Sequence, residues 1–202
     1  MYLEKPIATE RLIISEHVES DLIAMHELFS DDVAMHFLDN LKTETIEETR
    51  KNLQAAIGEI KKEPRKKYYF KIENTNKIYI GEIGFTVRID CPIGKVVDFG
   101  YFIKQDYWNN GITFEAARAL IKYGFENLGI VKIETGCIKE NSGSEKIMKK
   151  LGMKQESCKK WHVFHDDQLM DRVEYALFRD DYFQQHPNRY GERTNDSRKT
   201  RF

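Results

Sequence analysis

The stretch QDYWNNGITFEAARALIKYGFENLG, residues 105–129, decides the fold. Its second half places Phe114, Ala117, Leu120, Ile121, Gly124, Phe125 and Leu128 on one wide apolar face. That spacing predicts a largely buried helix over Ile112–Leu128, ended by Gly129. β-prone segments flank it: Val96–Ile103 before and Ile130–Ile138 after. Strand, helix and strand make a βαβ unit, whose two strands run parallel with a right-handed crossover. Ligands of open α/β sheets bind beyond the carboxyl ends of such strands. Residues 104–113 lie there and feed a helix N-terminus, where unpaired N–H groups and the dipole favour phosphate. Gly111 stands at the joint, and a glycine lets N–H groups approach an anion with no Cβ in the way. It would equally ease a tight loop, and the segment alone leaves both readings open. A dinucleotide loop needs GxGxxG and a Walker loop ends in Gly-Lys-Ser/Thr; neither pattern is present.

Working outward, Arg11–Ile14 reads as a strand and residues 19–31 as a helix. A second helix is expected over 45–62. Thr45 and Glu48 form a capping box, Leu53, Ala56, Ile57 and Ile60 share a face, and Pro64 marks the end. Tyr68–Ile72 and Ile78–Ile89 are strands joined by the turn Asn74–Lys77. Gly81 and Gly84 inside the second suggest a bulge or a close backbone approach. After the turn Cys91–Gly94, Val96–Ile103 completes an antiparallel meander. Ser142–Leu151 is a short helix closed by Gly152. Lys154–His165 and Arg172–Arg179 are strands separated by Asp166-Asp167-Gln168. The class is mixed α/β: one domain over 1–185, then a polar tail over 186–202 expected to be disordered.

The 202 residues are 41% hydrophobic and 32% charged, enough apolar material for a sizeable core. A net charge of −1 gives no electrostatic footprint for nucleic acid. No apolar run approaches the ~20 residues of a membrane span, and the N-terminus lacks a secretory pattern. Cys91, Cys137 and Cys158 lie far apart without CxxC spacing, so neither a disulfide framework nor a zinc site is expected, and the reading is a cytoplasmic protein with reduced thiols. His162 and His165 fall on opposite faces of a strand and would not share a metal. Lys61, Lys62, Arg65, Lys66 and Lys67 read as a solvated helix end; attraction for an acidic partner or cofactor phosphates is the other reading.

Several motifs then occur in one order: Trp108-Asn109-Asn110-Gly111-Ile112-Thr113, the helix and strand, Asn141-Ser142-Gly143-Ser144, and Lys150-Leu151-Gly152-Met153. With Thr9-Glu10-Arg11-Leu12 and Gly81-Glu82-Ile83-Gly84, they make residues 7–183 resemble the GNAT superfamily of N-acetyltransferases. The branch that acetylates protein N-termini, ribosomal proteins included, is the most similar. The resemblance implies a GNAT-like, mostly antiparallel twisted sheet with a parallel pair splayed at the cofactor site. It implies acetyl-CoA as co-substrate, its phosphates on the 108–113 loop. Its pantetheine arm would lie on backbone groups of Phe102, Ile103 and Lys104, with Asn141 and Ser144 nearby. Asn141 would also serve as a helix N-cap. Trp108 replaces the family's usual Arg or Gln, and Thr113 replaces a small residue. Met148 stands where many members carry a tyrosine acid, and it has no proton to give.

Asp98 occupies the position of a branch glutamate and is the only charge in Val96-Val97-Asp98-Phe99. It is the candidate base or amine anchor, or else a solvent-facing strand residue; Glu82 and Glu134 are weaker candidates of the same type. Ser144 is the candidate by family position for serving the leaving thiolate, though a serine hydroxyl is a poor acid. The implied reaction is direct acetyl transfer to a primary amine, foremost a protein or peptide N-terminus. A small amine (polyamine, amino acid or aminoglycoside) and a non-catalytic acyl-CoA-binding module are the alternatives. No metal, nucleic-acid or membrane partner is expected, and a homodimer is left open.

Overall fold

The computed structural model describes Leu3 and residues 5–187, so the tail expected over 186–202 lies, beyond Pro187, outside the described residues. Eight strands form one sheet: β1 Ile7–Ala8, β2 Leu12–Glu16, β3 Lys67–Asn74, β4 Tyr79–Cys91, β5 Gly94–Ile103, β6 Ile130–Ile138, β7 Lys154–His165 and β8 Gln168–Phe178. Their order is β1-β2-β3-β4-β5-β6-β8-β7. Every neighbouring pair is antiparallel except β5 and β6, the pair that the 105–129 stretch connects. The helices are α1 Leu22–Phe29, α2 Ile46–Ile60, α3 Ile112–Asn127, α4 Ser142–Lys150 and α5 Arg179–Gln185. β1 and α5 were not anticipated. They have 2 and 7 residues, too few for a periodic pattern. α5 holds through tertiary packing, its Tyr182 ring 5.3 Å from Phe125 of α3.

Strand alternation divides the interior in two. On one face Ile83, Phe85, Val97 and Phe99 meet Ala116, Ala117, Leu120, Ile121 and Phe125 of α3, in a cluster that also takes in Met148 of α4. On the other face Tyr79 and Phe102 meet Leu22, Met25, Leu28 and Phe29 of α1 and Leu53 of α2. Phe29 and Phe102 touch edge to face at 5.2 Å. Gly84 marks a close backbone approach: a Cβ there would stand 2.4 Å from the Tyr68 carbonyl oxygen. The capping box of α2 forms as read, with Glu48 N–H donating to Thr45 Oγ1 and Thr45 N–H to Glu48 Oε2.

The α1 side is held by buried charge as well as by apolar contact. His17, 3% exposed, shares a hydrogen bond of 2.9 Å with Glu82, whose other oxygen accepts from Tyr79 OH. His17 Nδ1 lies 3.6 Å from Asp21, which also receives Lys71 Nζ at 2.7 Å. Arg65 corrects the expectation of a solvated basic cluster. It is 2% exposed and donates through both terminal nitrogens to Glu16, at 2.6 and 2.9 Å, while lying over the Tyr68 ring.

Burial disfavours the His17 imidazolium, but Glu82 and Asp21 outweigh it and push the pKa from 6.5 up to about 9. A raised histidine pKa contributes stability that is complete below the unfolded value near 6.5 and is lost as pH rises through about 9. The contribution at its full extent is about 3 kcal/mol. Urea denaturation across pH 6–10 is expected to show stability falling through this window, and a flatter profile in His17→Gln. An unchanged slope in that variant would place the titration elsewhere.

Candidate active site

β5 and β6 pair only from Lys95/Ile130 to Asp98/Glu134. Beyond Asp98 the strands separate: β5 continues against β4 to Ile103, and β6 against β8 to Ile138. The parity of the ladder fixes what faces this gap. Lys104 N–H donates to the Ile80 carbonyl, so in the β4/β5 register the even-numbered residues of β5 spend their backbone groups on β4. The backbone groups of Phe99, Tyr101 and Ile103 point the other way, into the gap. This corrects the assignment of Phe102 and Lys104 as backbone contacts for a pantetheine arm. Both are one residue out of phase, and the Lys104 ammonium is paired with Glu27 at 2.7 Å. Ile103 has the right phase, although its carbonyl already accepts from Trp108 Nε1 at 3.0 Å.

That indole contact sets the start of the loop at the mouth of the gap. Asn109 has φ 59° and Gly111 φ 74°, both left-handed. Gly111 is the N-cap of α3 and makes no side-chain cap bond, so the amides of the first helical turn, through Ile112 and Thr113, have no cap. The space around Gly111 is open, its nearest neighbour to a built Cβ being Arg11 Nη2 at 3.6 Å. Backbone conformation is therefore what selects glycine here. Arg11 also donates to the Asn110 carbonyl at 3.0 Å and pairs with Glu115 at 2.7 Å. A guanidinium thus stands beside uncapped amides on an exposed loop, a combination suited to a pyrophosphate.

Deeper in the gap, Tyr101 OH lies 3.1 Å from Ser144 Oγ and 3.2 Å from the Ser144 carbonyl. Ser144 N–H donates to Asn141 Oδ1 at 3.0 Å, so Asn141 acts as the N-cap of α4. Met148 is fully buried in the core. The α4 position carries no tyrosine, but β5 places the Tyr101 hydroxyl against the first turn of α4, a juxtaposition the sequence reading did not anticipate. The available signal was parity, since Tyr101 shares its face with the core residues Val97 and Phe99. Burial raises the Tyr101 pKa, so its hydroxyl stays protonated and works as a hydrogen-bond donor. Cys137, on β6 past the fork and beside Ser144, is buried, and desolvation pushes its thiol up to about 11.

Asp98 is the last paired residue before the strands part, opposite Glu134. It lies on the sheet face away from α3, in register with Thr86 and next to Gly100, which is exposed and open to solvent on its side-chain face. Burial raises its pKa, Arg88 and Arg172 oppose this, and Glu174 and Glu134 reinforce it. Each acid here has a cation: Arg88 with Asp98 at 3.4 Å, Lys132 with Glu134 at 2.7 Å, Arg172 with Glu174 at 2.9 Å. Glu82, the other carboxylate considered, is locked into the His17 network and away from solvent.

The sheet is thus forked at its parallel pair, with an uncapped glycine-led helix at the mouth. The model of the acetyltransferase (GNAT) domain matches residues 11–154, and the chain belongs to this family. A relative, the uncharacterised N-acetyltransferase YnaD of Bacillus subtilis strain 168, is 26% identical over 187 residues, spanning 87% of this chain and 98% of that protein. Two solved structures share the fold. The ribosomal L7/L12 α-N-protein acetyltransferase RimL in complex with coenzyme A superposes with TM-score 0.77 at 21% identity, over 88% of this chain and 99% of that one. Spermidine N-acetyltransferase from Vibrio cholerae, with coenzyme A and spermine, gives 0.75 at 17%, over 87% and 99%. The chain is an acetyl-CoA-dependent N-acetyltransferase.

Gly111→Val forces a β-branched residue into left-handed backbone beside the uncapped amides. The strain, about 1–2 kcal/mol, and the lost access should weaken acetyl-CoA binding about tenfold or more by calorimetry. Circular dichroism should remain native. Unchanged affinity would mean that the loop does not hold the phosphates.

Proposed function

We propose that this enzyme acetylates the free α-amine of a protein or peptide by direct transfer from acetyl-CoA. The observation that carries this reading is the fork at Asp98. A carboxylate with a raised pKa stands where the gap opens, on the face opposite α3, while the cofactor loop lies at the gap's outer end. An amine arriving on this open face reaches the gap from the side the cofactor does not occupy. The charge balance favours a chain terminus over a polyamine. A polycation would need several unpaired carboxylates, but Asp98, Glu134 and Glu174 each have a basic partner.

In this scheme backbone N–H groups from Phe99, Tyr101 and Ile103 hold the pantetheine arm and polarise the thioester carbonyl, a role often worth 10²–10³ in rate, about 3–4 kcal/mol. Asp98 accepts, through water, the proton released by the substrate ammonium, an effect of about 10²–10⁴. The nitrogen lone pair bonds to the acetyl carbon, the carbon–sulfur bond breaks with its electrons going to sulfur, and the second proton of the acylated nitrogen passes through water to the departing thiolate, leaving a neutral amide and coenzyme A thiol. Tyr101 OH, backed by Ser144, donates a hydrogen bond to that sulfur. Trp108, Asn109, Asn110, Gly111, Ile112 and Thr113 hold the phosphates, with Arg11 beside them. A Cys137 acyl-enzyme is disfavoured, because a thiol with a pKa of about 11 is a poor nucleophile at neutral pH.

The direct test is release of coenzyme A with peptides bearing free or blocked α-amines, against spermidine. Turnover of the free peptide alone supports the reading, and turnover of spermidine alone overturns the choice of acceptor. Asp98→Asn is expected to lower kcat by about 10²-fold with acetyl-CoA affinity intact, and to remove the acidic limb of the pH–rate profile. Activity in the parent falls as pH drops and Asp98 takes up a proton. Tyr101→Phe should lower kcat by roughly tenfold without altering that limb; a larger loss in acetyl-CoA binding than in kcat would make Tyr101 a cofactor-positioning residue instead.

A further inference from the structure

Away from the cleft, the loop between α1 and α2 meets the β7–β8 hairpin. His165 ends β7, and Asp166 and Asp167 form the two-residue turn, with φ of 47° and 58°. Two left-handed central residues define a type I′ turn, which fixes the direction of its neighbours. Met35, fully buried, anchors the opposing loop and presents His36, whose ring lies 4.9 Å from that of His165. His165 is 3% exposed, yet its Nε2 has no hydrogen-bond partner. Its other nitrogen, Nδ1, is 2.8 Å from Asp39 Oδ2. A carboxylate can only accept from a neutral imidazole at Nδ1, an arrangement that leaves Nε2 as the nitrogen able to bind a metal. Nε2 faces Asp166 Oδ2 at 3.7 Å, and His36 Nε2 lies 3.8 Å from the same oxygen. The three ligand atoms all fall within 4.8 Å of one another.

We propose that His36, His165 and Asp166 bind a divalent transition-metal ion, zinc foremost, with Asp39 orienting His165 from behind. Two imidazoles and one carboxylate suit zinc, and a carboxylate on the remote nitrogen of a metal-binding histidine is the usual outer support. A tetrahedral site with bonds of about 2.0–2.2 Å sets its ligand atoms roughly 3.3 Å apart, leaving the fourth position to solvent. His36 and Asp166 have 47% and 65% of their side chains exposed and are free to close the remaining distance, whereas His165 is fixed. The site is assembled from both arms of the splay. α1 packs on Phe102 at the end of β5, and β8, which carries the hairpin, pairs with the end of β6. Metal binding would join the α1–α2 loop to the β7–β8 hairpin.

The test uses the full chain, stripped with a chelator, carrying Cys91→Ser and Cys158→Ser to remove exposed thiols. Zn²⁺ titration against a chromophoric chelator should give one equivalent bound and a rise in Tm. Co²⁺ should give visible d–d bands without a thiolate charge-transfer band. Asp39→Asn should weaken zinc binding by about 10–100-fold. His36→Ala and Asp166→Asn, both at exposed positions and safe for folding, should weaken it at least as much. A ligand that binds only the native state must raise its stability once its concentration exceeds the dissociation constant. Folded protein that takes up no zinc and shows no rise in Tm at roughly tens of micromolar metal therefore overturns the proposal. So does binding that survives both exposed-site variants, or a cobalt spectrum with thiolate character.

Discussion

Everything in the cleft follows from one constraint: backbone polar groups must be paired. From Lys95 to Asp98, β5 has a neighbour on each side. From Phe99 to Ile103 it has only β4, and its other edge faces a gap. A strand edge inside a sheet, rather than at its rim, offers donors and acceptors at fixed spacing to something that is not protein. A pantetheine arm, with its two amides, can complete that ladder in the way an added strand would. The helix that ends the gap supplies the other half of the requirement. Its uncapped first turn asks for an anion, as the strand edge asks for amides.

The two sides of the sheet are built from different forces. Against α3 the contacts are apolar and close-packed. Against α1, buried ion pairs share the interface with Phe29, Phe102 and Leu53. Such pairs stabilise little in net terms, because desolvation offsets attraction, but a broken pair leaves a charge stranded and is costly. They therefore punish misplacement of α1 more than they reward its docking. That matters because α1 leads into the loop that reaches across to the β7–β8 hairpin.

Long periodic elements were legible from residues alone. β6 and β7 have the bounds read from their patterns, and α3 differs by a residue at its end. What escaped the sequence depends on register and on distant partners. Phe102 and Lys104 were expected at the edge that faces the gap, which the register gives to Phe99, Tyr101 and Ile103, and a shift of one residue exchanges every group between the two edges of a strand. Arg65 looked like one more solvated cation until Glu16, 49 positions away in sequence, turned out to be its partner. Tyr101 could not be matched to Ser144 without knowing which way β5 faces. His165 was weighed against His162, its neighbour in sequence, whereas the fold brings it to His36 instead.

Cys137 has one more implication. With its pKa near 11, on the order of one molecule in ten thousand carries the thiolate at neutral pH. Cys91 and Cys158 are exposed on the far hairpin of β4 and on β7. Thiol-directed dyes will therefore mark the periphery and spare the cleft, so a fluorophore at either surface position can report on cofactor and acceptor binding in an otherwise native enzyme.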